Sequence, residues 1–383
     1  MHVAQVTPFL VDTGSSKSWL FVRLETEDGL VGWGEAYTQQ DRDGAMLAHL
    51  IEMGRLLIGR SAFAIKHFSS VMYLDYALRR PAMDYWSALS AIEQAMWDIV
   101  GKACGQPVYN LLGGPCRERI HVYANGWSDG ATTPEQYAER ACAVVARGFD
   151  ALKFDPFTNP WRTHIGRAEE DIAYERVRAV REAVGPDVEI LVEAHRRLAP
   201  NEAIRMAGRL EALRPYWYEE PIDAEDMEGL AEVRRRTSLP IVTGEALYSK
   251  SQFAQVFAQR AADILNPDVC NCGGILALKE IAAAGEPWHV TVAPHNYNST
   301  TVGLASTVHV SACIPNFLIT EYFVNFETLG REIAPNCFKV VDSYIQLPTA
   351  PGLGIEVDEV ALARHRSVGA RRDRHIRMYA DEP

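Results

Sequence analysis

Seven cysteines at irregular intervals are too few and too unevenly placed to frame 383 residues with disulfides, which points to reduced thiols and a cytoplasmic setting. Cys270 and Cys272 form a C-x-C, but a zinc knuckle needs a second pair that is missing here, so both read as small buried residues. No apolar run reaches the roughly 18 residues of a membrane span. Met1 to Val11 lacks the basic start, apolar stretch and small-residue cleavage site of a secretory leader. Basic charge is also short. A net charge of −12 argues against a nucleic-acid partner, because duplex binding rests on neutralising phosphates. The basic runs Arg234-Arg235-Arg236 and Arg371-Arg372-Asp373-Arg374 carry no interleaved aromatics and read as a solvated face and a polar tail. There is no P-loop, no GxGxxG after a strand and no GxSxG elbow, so nucleotide and serine chemistry find no support.

What the chain does have is a rhythm of acids. Glu193 closes ILVE, Glu219 closes YWYE and Glu245 closes PIVTGE, at equal intervals that fit one strand plus one helix. Successive parallel strands of a barrel that each end in an acid bring those acids to one mouth, where βα loops build active sites. Three carboxylates there call for a hard divalent cation. Mg2+, with Mn2+ as the alternative, suits such oxygen ligands better than zinc does. The rhythm continues on both sides, through Asn125 and Lys153 upstream and through Asp268, His295 and Glu321 downstream. Eight candidate strands result, each followed by helical periodicity, as in PEQYAERACAVVARG and in Ala168 to Val184.

The expected fold is therefore an α/β, (β/α)8-type barrel, and 383 residues exceed the about 250 of a barrel alone. An N-terminal α+β capping domain is expected over residues 1–115, the barrel over 116–330, and a closing segment that returns to the cap over 331–383. Trp19 to Glu25 and Gly29 to Tyr37 read as strands around the turn Glu27-Asp28-Gly29. Ser87 to Lys102 reads as a helix with Ala88, Ala91, Ile92, Ala95 and Ile99 on one close-packing face, stopped by Gly105 and Pro107.

An ordered set of motifs carries a family resemblance over nearly the whole chain. WDIVGKACGQPVYNLLGG (Trp97 to Gly114), YEEP (Tyr218 to Pro221), TGEAL (Thr243 to Leu247), NPDVCNCGG (Asn266 to Gly274), APHNYNS (Ala293 to Ser299) and PGLGIEVDE (Pro351 to Glu359) resemble the enolase superfamily, mandelate racemase subgroup. Within it the chain is most similar to sugar-acid dehydratases of the gluconate and galactonate type. The resemblance implies one Mg2+ on Glu193, Glu219 and Glu245, with Glu220 behind them, and an enediolate formed by loss of the proton beside a substrate carboxylate. Asp268 and His295 from adjacent strands form the expected base, the acid fixing one ring nitrogen and leaving the other for substrate.

Lys153 is expected to reach the substrate from the opposite face. The family's Lys-x-Lys is here Lys153-Phe154-Asp155, and Asp155 is a candidate ion-pair partner for Lys153 or a substrate contact. His195 follows Glu193 by two residues, so strand alternation would place both in one cavity. That spacing resembles the Asp-x-His of dehydratases, in which the histidine protonates a departing 3-hydroxyl. Arg196 and Arg197 are candidates for substrate clamps or for salt bridges at the rim. Glu321 is expected to have a raised pKa beside other acids and to donate to the substrate carboxylate. Lys17, Trp19 and Tyr37 are candidate contacts from the cap, with Gln39 beside them. The expected function is Mg2+-dependent dehydration of an aldonate or aldarate to a 2-keto-3-deoxy acid. The competing functions are a cycloisomerase of a lactone or anhydro sugar acid, a racemase or epimerase, and a sugar-acid sensor. A small-molecule partner and a symmetric homo-oligomer, a dimer or octamer, complete the expectation.

Overall fold

The computed structural model describes residues 1–15, 17–39, 42–157 and 165–367, so the basic run at Arg371 lies outside the described residues. The chain begins with an antiparallel meander of β1 (Val3–Asp12), β2 (Ser18–Thr26) and β3 (Val31–Ala36). The central strand is buried on both faces. Leu20, Val22 and Leu24 pack under helices, whereas Trp19 and Phe21 face the core shared with the barrel. α1 (Asp43–Leu57) and α3 (Met83–Cys104) cover the first face, and α2 (Ile65–Val71) packs on α3.

The small-residue face of α3 meets a strand. A Cβ at Gly34 would lie 1.8 Å from the Ala91 carbonyl oxygen and one at Gly32 2.2 Å from that of Ala95, so only glycines let β3 lie this close. Gly105 ends α3 in the left-handed conformation at φ 63°, and α4 (Val108–Leu111) leads into the barrel.

Eight parallel strands follow. β4 (Arg119–Asn125), α5 (Pro134–Val145), β5 (Ala151–Phe154), α6 (Arg167–Val184), β6 (Glu189–Glu193) and α7 (Pro200–Leu210) build the first half. β7 (Trp217–Glu219), α8 (Met227–Arg235), β8 (Ile241–Thr243), α9 (Lys250–Gln259), β9 (Ile264–Leu265) and α10 (Ile275–Gly285) continue it. β10 (Thr291–Val292), α11 (Val302–Cys313), β11 (Thr320–Phe323) and α12 (Glu327–Ile333) complete it. β11 returns to pair with β4, and the seam between β10 and β11 is closed by a bridge from Val292 to Phe317.

One buried apolar residue from each strand or its edge fills the barrel interior: Tyr123, Ala151, Leu191, Trp217, Val242, Ile264, Ala293 and Ile319. With a side-chain period of two, the next inward positions toward the strand ends are Asn125, Lys153, Glu193, Glu219, Gly244, Asn266, His295 and Glu321. An apolar plug thus carries a polar layer directly above it.

The chain then forms the hairpin β12 (Val340–Val341) and β13 (Tyr344–Gln346), which adds antiparallel to the start of β4. It returns to the cap through Leu353, whose N–H donates to Asp98 on α3 (2.8 Å), and through α13 (Glu359–Arg364). Beyond α13 the Ser367 N–H donates to the Leu10 carbonyl at 2.9 Å. No disulfide forms, and Cys270 and Cys272 are buried as expected. Among the described residues no helix is long and apolar enough to cross a membrane.

The junction of α4 and α11 buries an ionisable group. His309 is 0 % exposed, stacks on Tyr109 and accepts the Tyr109 N–H at Nδ1 (3.2 Å). Burial pushes its imidazole down to about 4, and a backbone hydrogen bond at Leu353 only partly offsets this. Because the folded state resists a proton that the unfolded chain accepts near 6.5, this group's contribution is intact above about pH 6.5. It falls as pH drops toward 4, by about 3 kcal/mol in total at roughly 1.4 kcal/mol per pH unit. His309→Asn keeps an acceptor for Tyr109, so denaturant midpoints between pH 4 and 7 should vary less in the variant than in the parent. Parallel pH dependences would refute the assignment.

Candidate active site

The three glutamates of the acid rhythm meet at the C-terminal mouth of the barrel. Each offers an oxygen within 4.8 Å of the others. Glu193 and Glu219 are direct register partners on β6 and β7, so they stand at one height. Glu245 lies beyond β8, whose Val242 is the partner of Glu219, and it turns back to the cluster after Gly244 at φ 145°.

The donor set fits a hard cation. Glu193 Oε1 and Glu245 Oε2 are buried and accept no hydrogen bond, although Glu245 Oε2 lies 3.1 Å from His295 Nε2. Buried carboxylate oxygens with no thiolate among them are the donors that Mg2+ takes, so these three residues could hold it. Glu219 is 0 % exposed, and burial together with the Glu193 charge raises its pKa to about 8. Burial also opposes ionisation of Glu245, but His295 and Arg196 overcome it and hold that carboxyl far below its usual range.

Two Asp–His pairs flank the glutamates. His295 Nδ1 lies 2.7 Å from Asp268 Oδ2, and its Nε2 faces Glu245 at 3.1 Å and Glu321 at 3.5 Å. His195 Nδ1 lies 2.7 Å from Asp155 Oδ2, and its Nε2 faces Glu193 at 3.6 Å. With the aspartate on Nδ1 in both pairs, Nε2 is the nitrogen that faces the glutamates. Burial works against charge on each ring. Glu245 and Glu321 nevertheless hold His295 up to about 10, and Glu193 with the Asp155 hydrogen bond holds His195 up to about 9.

Several expectations need correction. Asp155 does not pair with Lys153: its oxygens take His195 and a bidentate Arg197 (2.9 and 2.8 Å), which makes it a group that orients His195. Lys153 is 1 % exposed and enclosed by Glu193 (3.0 Å), Glu219 (2.8 Å) and Glu321 (3.0 Å). His195 does share the cavity of Glu193, but not by strand alternation. β6 ends at Glu193, and His195 and Arg196 turn back with φ of 49° and 60°. Glu321 has its pKa lowered, not raised, because Lys153 and His295 outweigh burial. Trp19 is 0 % exposed, edge-on to Phe21 and Phe326, and belongs to the core.

The remaining candidates lie near the site in different roles. Arg196 Nη1 bridges Glu220 and Glu245 (2.6 Å to the latter), so it steadies the Glu245 carboxylate. Glu220, at φ 43°, also accepts from Thr243 Oγ1 and from the Gly244 N–H, at the turn that delivers Glu245. The Tyr37 ring lies 6.0 Å from that of His295. Lys17 is 5 % exposed, with its ammonium over the Tyr37 and Tyr297 rings and 2.9 Å from the Thr38 carbonyl. Gln39 is exposed.

Asn266 and Asn298 had no assigned role. Asn266 Nδ2 donates to Glu219 (2.8 Å) and its Oδ1 accepts the Glu245 N–H (3.1 Å), while Asn298 Nδ2 donates to both oxygens of Asp268 (2.9 Å each). Stepping two residues from the inward Ile264 would have found Asn266. Asn298 lies in a loop and has no such signal.

Both parts of the chain are similar to known proteins. Residues 2–113 match the mandelate racemase / muconate lactonizing enzyme N-terminal domain, and residues 136–361 match the enolase C-terminal domain-like family. The chain is 39 % identical to a D-gluconate dehydratase of Thermoproteus tenax, over 91 % of this chain and 70 % of that one. It is 35 % identical to a D-galactonate dehydratase of Verminephrobacter eiseniae, over 96 % and 94 %. The crystal structure of a mandelate racemase/muconate lactonizing enzyme from Sulfitobacter sp. superposes with a TM-score of 0.90 at 33 % identity, covering 97 % of this chain and 96 % of that one. With both domains matched in order and the acid triad assembled at the barrel mouth, the chain belongs to the mandelate racemase/muconate lactonizing enzyme family of the enolase superfamily.

Proposed function

We propose that the protein is a Mg2+-dependent hydro-lyase that converts an aldonate or aldarate to a 2-keto-3-deoxy acid. One observation carries the reading: two imidazoles, each fixed at Nδ1 by an aspartate, turn Nε2 toward opposite members of one carboxylate cluster, His295 toward Glu245 (3.1 Å) and His195 toward Glu193 (3.6 Å). Elimination of water needs such a pair, one group to take the proton beside the carboxylate and one to give a proton to the departing hydroxide. The dehydratase names of the relatives point the same way.

Glu193, Glu219 and Glu245 would hold the cation. When bound, it supplies Lewis-acid polarisation of the substrate carboxylate and offsets the negative charge that otherwise keeps both imidazoles protonated. His295 Nε2 takes the α-proton, and Asp268 stabilises the imidazolium that results. His195 Nε2 delivers a proton to the leaving oxygen, with Asp155 and Arg197 fixing its ring. Lys153 is held charged by Glu193, Glu219 and Glu321, which suits it to stabilise anionic oxygen. An epimerase would need this amine free as a second base, and its three carboxylate contacts disfavour that role.

A panel of aldonates, aldarates, uronates and their lactones, assayed for 2-keto acid with Mg2+ and again after chelation, tests the proposal. At least one aldonate or aldarate should give product that chelation abolishes and added Mg2+ restores. Tight binding of an acid with neither product nor α-proton exchange would make the protein a sensor instead.

A further inference from the structure

The two loops that carry the proposed base pair are each held by the cap domain. Asp268 opens a tight turn in which its own carboxylate accepts the Cys270 N–H (2.7 Å) and its carbonyl accepts the Asn271 and Cys272 N–H groups. One stretch of α3 grips that turn. Ser90 Oγ accepts the Gly273 N–H (2.9 Å), and Glu93 accepts the Ile275 and Leu276 N–H groups (2.7 and 2.9 Å). Gln94 Nε2 donates to the Val269 carbonyl (3.3 Å). Glu93 is thus a carboxylate from another domain set on the N-terminus of α10, where exposed N–H groups and the helix dipole favour negative charge. A Cβ at Gly274 would lie 2.0 Å from its Oε2, so the backbone leaves room for this acid alone.

The His295 loop is gripped in the same way by Glu35 at the end of β3. Its carboxylate accepts the Ser299 N–H (2.7 Å), the Gly303 N–H (2.7 Å) and the Ser299 hydroxyl (2.5 Å), and so docks at the start of α11. The two grips are joined. The Gln94 side chain donates to the Glu35 carbonyl (2.9 Å) and accepts the Glu35 N–H (3.2 Å), and its Oε1 also accepts from Ser306 on α11 (3.0 Å). Across the gap, Asn298 from the His295 loop reaches both oxygens of Asp268. Glu35, Glu93 and Gln94 are 1 %, 1 % and 0 % exposed, so water does not compete for these bonds.

We propose that Glu35, Glu93 and Gln94 of the cap are positioning residues that set the registration of Asp268 against His295, making the proton-abstracting pair depend on docking of the cap domain on the barrel. This rests on the reading of His295 as the base. All three are buried and spend their recorded side-chain bonds within the protein. Each acts through the loop it holds; β9 and β10 are two residues long, and beyond them one isolated bridge between Asp268 and His295, with a 3.3 Å bond from the His295 N–H to the Pro267 carbonyl, joins the loops directly. Displacement of a reacting group by about 1 Å costs on the order of 100-fold in rate, so a loosened grip should act on kcat and leave KM and metal affinity in place.

The test compares Glu35→Gln, Glu35→Asp and Glu93→Gln with Asp98→Asn in the full-length Mg2+-loaded protein. Asp98 is a buried carboxylate on the same helix that caps Trp33 and Leu353 and reaches neither catalytic loop, so its variant reports lost stability alone. Glu35→Gln and Glu93→Gln should lower kcat about 10- to 100-fold with KM nearly unchanged, and should shift or broaden the His295 Nδ1 proton resonance. Glu35→Asp, which keeps the charge on a shorter arm, should fall between. Asp98→Asn should match them in lost stability and keep both kcat and the resonance. Equal kcat in all variants, or an unmoved resonance in Glu35→Gln, would overturn the positioning role. The base assignment itself fails separately, if His295→Asn turns over normally.

Discussion

His295→Asn should lower kcat/KM by about 10³- to 10⁴-fold, at the upper end of what a positioned acid or base contributes, and should abolish exchange of the α-proton with deuterated solvent. Asparagine can still meet Asp268 with its amide but places no basic atom where Nε2 faces Glu245 and Glu321. The carboxylates that would hold the cation are untouched, so Mg2+ titration should be nearly that of the parent. The two readouts together separate loss of the base from collapse of the site. A variant that washed deuterium into the α-position at the parental rate would remove His295 from the mechanism, and the Asp268 pair with it.

How far the site could be read from sequence follows from how regular each strand is. The polar layer was legible because it repeats: wherever a strand presents an apolar residue to the interior, the residue two positions on arrives at the mouth, as with Leu191 and Glu193 or Trp217 and Glu219. That logic fails where the strand stops. β6 ends at Glu193, so His195 reaches the cavity through a left-handed turn, and its partner Asp155 comes from a different loop. Nothing in the order of residues shows that Asp155 turns to His195 rather than to Lys153.

Glu321 was misjudged because local spacing brings it to the mouth, whereas the sign of its pKa shift depends on which charges arrive from the other strands, here Lys153 and His295. Trp19 was misread because β2 is buried on both faces, so an apolar residue beside the cap loop has a core to enter as well as a mouth to line. β1 was not anticipated at all. It contains Pro8, has β2 as its one neighbour among the described strands, and its burial does not alternate cleanly, so it lacks the period-two signature of a half-buried strand.

His195→Asn should divide the reaction in two. Dehydration should fall by about 10²- to 10⁴-fold, the range for loss of a general acid, while α-proton exchange in deuterated water continues within a few-fold of the parent. The reason is geometric. His195 lies beside Glu193 on one flank of the triad and His295 beside Glu245 on the other, and each ring has its own aspartate, so neither pair contributes to the other's proton transfer. Asp155→Asn should reproduce the effect more weakly, because it frees the His195 ring without removing it, and Arg197 would lose its carboxylate partner at the same time. Substrate with a better leaving group at the third carbon should recover much of the His195→Asn loss and little of the His295→Asn loss. If exchange and dehydration instead fell in parallel in His195→Asn, the ring would belong to the step that forms the carbanion, and the two Asp–His pairs would have to act as one unit on a single proton.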